Sequence, residues 1–231
     1  MNEVIGLIGA MDEEIKLLLD SMEDRESTIK AGIAYYSGTI SGQKVVLCKS
    51  GVGKVNAAVT TQILIDSFGV GCVLFTGVAG ALHPDLGIGD IVISSQCIQH
   101  DMDASALGYP RGVIPYQEVS FFPADPVLVQ LAEGACHAMK QKSITGIVLS
   151  GDQFIASTAA VSELREQLGG ACAEMEGAAV AQVCFMNEIP FVIIRSMSDK
   201  ADGSAHANYR EFTVTAAERS HAILEYILKA M

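Results

Sequence analysis

Along the chain, short unbroken apolar runs alternate with longer segments in which apolar residues recur every three or four positions. The runs cover residues 4–8, 35–40, 44–48, 70–76, 90–94, 144–150 and 191–196, bounded by Gly, Asp or Ser. Several are apolar at consecutive rather than alternate positions, which predicts strands covered on both faces. Helical spacing occurs at 13–22, 56–68, 126–141, 158–168, 177–187 and 211–231. Asp125 before Pro126, and Ser157-Thr158 before an apolar pattern containing Glu, mark two of the helix starts. Strands alternating with helices predict an α/β protein, a three-layer α/β/α sandwich. There is no internal repeat, low-complexity tract or Gly/Ser linker, so residues 1–231 are expected to form one domain.

Composition narrows the function classes. Half of the 231 residues are hydrophobic and 18% are charged, which excludes disorder and provides for one large core. The 27 acidic residues exceed the 15 basic ones, leaving a formal charge of −12 and excluding a nucleic-acid-binding domain built on a basic surface. The six cysteines form no C-x-x-C pair, and four lie inside apolar runs, as free thiols do in a reducing compartment. Met-Asn-Glu opens the chain without the basic stretch of a secretory leader. The longest charge-free stretch, 67–84, is broken by glycines and Pro84 and makes a poor membrane span. A cytoplasmic protein with no membrane and no nucleic-acid partner is expected.

Two phosphate-loop signatures fail on inspection. Ser50-Gly51-Val52-Gly53-Lys54-Val55 resembles the tail of a nucleotide loop, but Val55 stands where Ser or Thr would hold magnesium, and Cys48 stands where the first glycine belongs. Gly6-x-x-Gly9 lacks the rest of the dinucleotide fingerprint. Histidines 83, 100, 137, 206 and 221 show no metal-site spacing and read as surface or capping residues. Neither a cofactor nor a metal is expected.

Chemistry is concentrated at three strand ends. The first run leads into Ala10-Met11-Asp12-Glu13-Glu14, three carboxylates at an edge where open α/β sheets bind ligands. The plainer reading, acids favoured in the first turn of a helix, accounts for Asp12 and Glu13. The last run ends in Arg195-Ser196-Met197-Ser198-Asp199, either a structural ion pair or charge at the ligand edge. Glu174-Met175-Glu176 precedes Gly177-Ala178-Ala179, small residues that let a helix lie close to the sheet. Two carboxylates facing an apolar site are costly unless they meet cations or ligand hydroxyls. Acids, one arginine and apolar walls, with no Ser–His nucleophile pair, suit acid/base hydrolysis of a polar, hydroxyl-bearing ligand.

These residues also stand in a familiar order. Gly9-Ala10-Met11-x-Glu13-Glu14, Lys49-Ser50-Gly51-Val52-Gly53-Lys54, Thr76-Gly77-x-Ala79-Gly80, Ser150-Gly151-Asp152-x-Phe154-Ile155, Glu174-Met175-Glu176 and Arg195-Ser196-x-Ser198-Asp199 together resemble the 5′-methylthioadenosine/S-adenosylhomocysteine nucleosidase family. That family belongs to the purine nucleoside phosphorylase and uridine phosphorylase superfamily, and the resemblance spans essentially the whole chain. It implies a central mixed sheet, partly barrel-like and flanked by helices. It implies hydrolysis of an N-glycosidic bond through an oxocarbenium-like ribosyl transition state, releasing adenine and a thioribose. By the same resemblance Asp199 protonates N7 of the leaving base with Ser198 orienting it, and Glu14 activates water, helped by Arg195. Glu176 accepts the ribose hydroxyls, Met175 packs on the sugar, and Phe154 with the backbone of Ile155 forms the adenine slot. Met11, Val52 and Tyr209 line the pocket, as do Val78, Ala79 and Gly80 of the fourth-strand loop; Glu174 completes the acidic triplet. Val78 replaces the family's serine, leaving a sugar or water contact to backbone N–H groups or removing it. Leu107 stands where relatives have phenylalanine. The resemblance further implies a homodimer in which residues 101–115, from Asp101 through Pro115, reach the neighbour's pocket.

Three rival readings remain at this stage. A phosphorylase on the same fold would need cations around a dianionic nucleophile, where this chain offers Asp12-Glu13-Glu14. Hydrolysis of another adenosine derivative, such as aminofutalosine, would use the same residues. A non-catalytic nucleoside-binding protein would have no need of both an acid and a base.

Overall fold

All the expected helices and strands are present in the computed structural model, which describes residues 4–199 and 205–231, with side chains for 4–199 and 215–231. In chain order the first half comprises β1 (Val4–Gly9), α1 (Asp12–Asp20), β2 (Glu23–Lys30), β3 (Ile33–Ile40), β4 (Gln43–Lys49), α2 (Lys54–Phe68), β5 (Val70–Ala81) and β6 (Ile91–Gln99). The second comprises β7 (Phe121–Pro123), α3 (Pro126–Ala138), β8 (Ser143–Ser150), α4 (Thr158–Leu168), β9 (Gly170–Glu174), α5 (Gly177–Met186), β10 (Phe191–Asp199) and α6 (Ala205–Ala230). Both marked caps form as read: Asp125 accepts the N–H groups of Val127 and Leu128, and Ser157 accepts that of Ala160.

β5 organises the sheet because it is paired on both edges. One edge takes β10 in parallel; the other takes β1 in parallel at its start and β9 antiparallel at Gly80 and Ala81. β10 pairs with β6, β6 with β8 and β8 with β9, so these strands and β5 close into a five-stranded barrel. Beyond β1 the sheet continues as an open ribbon through β4, β3 and β2. The antiparallel β5–β9 contact matters for function. It turns two oppositely directed sets of strands tip to tip, so the ends of β1, β5 and β10 meet those of β8 and β9.

Two helical layers cover the strands. Leu18 of α1, Leu128 of α3 and Ile223, Leu224, Ile227 and Leu228 of α6 bury one face with Leu7, Leu74 and Ile194. Ala57 and Leu64 of α2 and the small residues Ala178 and Ala181 of α5 bury the other with Val73, Phe75 and Ile193. Such continuous burial explains why β5 and β10 are apolar at consecutive positions. No helix among the described residues is long and apolar enough to cross a membrane.

Candidate active site

The converging strand ends surround a cavity that opens to solvent. β1 and the first turn of α1 supply Ala10, Met11 and Glu14; the loop after β4 supplies Val52; the late part of β5 supplies Val78, Ala79 and Gly80. The loop after β8 brings Gln153, Phe154 and Ile155, β9 and its exit bring Ala173, Glu174, Met175 and Glu176, and β10 ends the wall with Ser198 and Asp199.

Glu14 is positioned by a tight turn. Gly9 is required there, since a Cβ would lie 2.6 Å from Ile15 Cγ2. The chain then enters α1 with Glu14 as its third residue, and its Oε2 accepts the N–H groups of Ala10 at 2.6 Å and Met11 at 2.9 Å. Oε1 accepts the Val78 N–H at 3.0 Å, so the backbone of the position that departs from the family pattern holds this carboxylate while its side chain lines the cavity. Burial raises the pKa of Glu14; the Arg195 charge and the three N–H donors only partly oppose it.

Arg195 lies 1% exposed behind the wall. Its Nε and Nη2 donate to Glu174 Oε2 at 3.1 and 2.5 Å, and the guanidinium stacks 3.9 Å from the Phe75 ring centroid. Glu174 is saturated by protein. The Gly177 N–H donates to both of its oxygens, the Glu176 N–H reaches Oε2 at 3.2 Å, and the Ser150 hydroxyl bonds Oε1. The carboxylate thus sits on the N-terminal end of α5, where the helix dipole favours it. Here the arginine and an acid do form a structural ion pair, but the acid is Glu174 and not Asp199.

Glu176 is also buried, and its Oε1 accepts the Gly53 N–H at 2.8 Å. Burial, and secondarily the neighbouring Glu174 charge, push its pKa up to about 7. Asp199 is 4% exposed, and the Ser198 hydroxyl donates to its Oδ2 at 2.9 Å. Phe154 is half exposed at the cavity mouth.

Every site residue expected from the sequence lines this one cavity except Arg195, which lies behind it, and Tyr209, whose side chain falls outside the described residues. Gln153 and Ser150 were not singled out as site residues. Gln153 is the unassigned position of the Ser150-Gly151-Asp152-x-Phe154 motif, and Ser150 is the polar residue that ends an otherwise apolar strand. Among the described residues, His100 departs from its expected surface or capping role: it is fully buried beside Gly151.

The closed barrel gathers buried carboxylates from several strand tips around one cavity, and known proteins place this architecture. The family profile described as Phosphorylase superfamily matches residues 4–229, and the chain belongs to that superfamily. More narrowly, it is similar to the 5′-methylthioadenosine/S-adenosylhomocysteine nucleosidase of Staphylococcus carnosus (strain TM300), 41% identical over 229 residues, 99% of this chain and 100% of that one. The crystal structure of the nucleosidase of that name from Neisseria meningitidis, in complex with methylthio-immucillin-A, matches with a TM-score of 0.95 at 38% identity, covering 99% of this chain and 100% of that chain. The native futalosine hydrolase of Helicobacter pylori strain 26695 matches with a TM-score of 0.95 at 34% identity, covering 100% of this chain and 99% of that chain.

Proposed function

We propose that this protein hydrolyses the N-glycosidic bond of 5′-methylthioadenosine and S-adenosylhomocysteine, releasing adenine and a thioribose. The observation that carries the reading is that Glu14 and Asp199, from opposite ends of the chain, open into one cavity. Asp199, oriented by the Ser198 hydroxyl, donates a proton to N7 of the base. The C1′–N9 bond breaks and its electron pair leaves with adenine. Water adds to C1′ and gives its proton to Glu14, whose raised pKa makes it a better base than an exposed glutamate. Glu176 accepts the ribose hydroxyls, Met175 packs on the sugar, and Phe154 with the Ile155 backbone holds adenine. Met11, Val52, Val78, Ala79 and Gly80 form the remaining wall. Glu174 and Arg195 are positioning residues: Glu174 has its oxygens engaged by protein donors, and Arg195 anchors it while biasing Glu14 by charge.

Water is favoured over phosphate as nucleophile. A dianion next to Glu14 and Glu176 would be repelled, and Arg195 already has its Nε and Nη2 committed to Glu174. Aminofutalosine is the second substrate to weigh, because a futalosine hydrolase shares this fold at similar identity. We assign the protein to the cytoplasm as a homodimer, with residues 101–115 reaching the neighbour's cavity; the exposed Leu107 lies in that segment.

Adenine release should be assayed on methylthioadenosine, S-adenosylhomocysteine and aminofutalosine, with and without inorganic phosphate. The rate on the first two should not change with phosphate; a strict phosphate requirement overturns the hydrolase reading. Asp199→Asn and Glu14→Gln should each lower kcat by roughly 10²- to 10⁴-fold with the circular dichroism spectrum intact. Near-normal activity in either variant would remove that residue from its role.

A further inference from the structure

The loop that fails as a nucleotide signature ends in Lys54, a residue the catalytic scheme leaves without a task. Lys54 is the first residue of α2, where a cation meets the positive end of the helix dipole. Its surroundings offset that penalty. The ammonium donates to Asp101 Oδ1 at 2.6 Å and to Gln99 Oε1 at 3.0 Å, with the lysine and aspartate side chains 17% and 15% exposed. The Lys54 backbone N–H donates to Asp152 Oδ1 at 2.8 Å, and the Asp152 N–H donates to Asp101 Oδ2 at 2.9 Å. One residue earlier, the Gly53 N–H donates to Glu176 Oε1. Gly53 sits at φ +98°, and a Cβ there would lie 3.1 Å from Asp152 Oδ1, so the approach of the two loops requires glycine. Gln99 extends the chain of bonds to Gln182 on α5 at 2.5 Å.

These bonds form a ring joining the loop that carries Val52 and Gly53, the loop that carries Gln153, Phe154 and Ile155, and the end of β6. We propose that Lys54 is a positioning residue: locked to Asp101, it holds the two loops that frame the cavity and aims the Gly53 N–H at Glu176. The choice of substrate for testing rests on the nucleosidase reading; the ring itself does not. An exposed ion pair contributes little, but this pair is mostly withdrawn from water, and Asp101 also accepts the Asp152 N–H. Removing the ammonium releases both loops. Glu176 then loses a donor that holds its pKa down, while Glu174 and Glu14 still push it up and Arg195 still pulls it down.

The test compares wild type, Lys54→Met, which keeps the aliphatic stem, and Lys54→Arg, which keeps the charge. Lys54→Met should raise KM for methylthioadenosine about 10-fold with kcat within about 3-fold, since the loops contribute mainly uniform binding. The acid limb of its kcat/KM profile should move up by about half a pH unit. Hydrogen exchange should accelerate at 50–57, 99–103 and 150–157 together and nowhere else, and Lys54→Arg should restore all three readouts. Unchanged KM and pH profile in Lys54→Met, or exchange that rises across the whole protein with a fallen Tm, overturns the proposal. If the wild type releases no adenine, the nucleosidase reading fails while the exchange comparison still decides the ring.

Discussion

Glu14 carries two roles on one carboxylate. As the third residue of α1 it accepts the N–H of Met11, and as a buried group it faces the cavity. The three consecutive acids are sorted by the turn itself, each advancing by about 100° around the axis. Asp12 turns outward to Lys49 and Glu13 to solvent, as the helix-start reading expects, and only Glu14 turns in. Its setting depends on a missing side chain. A Cβ at Gly77 would lie 2.7 Å from Glu14 Oε1 and 2.9 Å from Arg195 Nη1. Gly77→Ala should therefore displace the Glu14 carboxylate while leaving the fold intact and, under the proposed mechanism, lower kcat about 100-fold for a shift near 1 Å. Steady-state kinetics beside a thermal melt checks this; normal kcat would show that Glu14 has slack.

Among the elements, Ser150 joins three at one point. Its hydroxyl bonds Glu174 at the end of β9 and accepts the Ala178 N–H of α5, while its own strand is β8. Ser150→Ala leaves a buried amide and a carboxylate oxygen each short of a partner, so urea unfolding should show a loss of about 1–3 kcal/mol. What the sequence made legible follows from burial. β1, β4, β5, β8 and β10 announce themselves as apolar runs, and the acids that end β9 and β10 mark the site. β9 escaped notice because Gly170-Ala171-Cys172-Ala173-Glu174 is short and built of small residues with weak strand preference. Its absence from the pattern hid the barrel closure, since β9 is the strand that returns to β5. The apolar run that predicts β5 ends at Thr76, bounded by Gly77, yet the strand continues to Ala81 with partners on both edges. Gln153 lies on an irregular loop, where no periodicity points to it.

For the molecule as a whole, the buried acids make stability depend on pH. The folded-state pKa of Glu176 is about 7, above the ordinary 4.5, so the folded protein holds this proton more tightly than the unfolded chain. Its stabilising contribution is present below about pH 4.5 and is lost as pH rises through about 7. Glu14 acts in the same direction. Glu176→Gln, which keeps an acceptor for the Gly53 N–H, should melt a few degrees above wild type at pH 8 and level with it near pH 4.5. The buried Arg195–Glu174 pair behaves differently: Arg195→Met leaves an uncompensated carboxylate and should cost about 3–5 kcal/mol in denaturant titration.

At the far rim, the open ribbon ends in β2, whose eight residues are all exposed. Such a border of free amide and carbonyl groups can template stacking of one molecule on the next. Glu23, Asp24, Arg25, Glu26 and Lys30 crowd it with charge, and the irregular pairing between Glu23 and Glu26, with Asp24 at φ +50°, bends it away from a flat ladder. The same polarity that concealed this strand from pattern reading works against edge-to-edge growth.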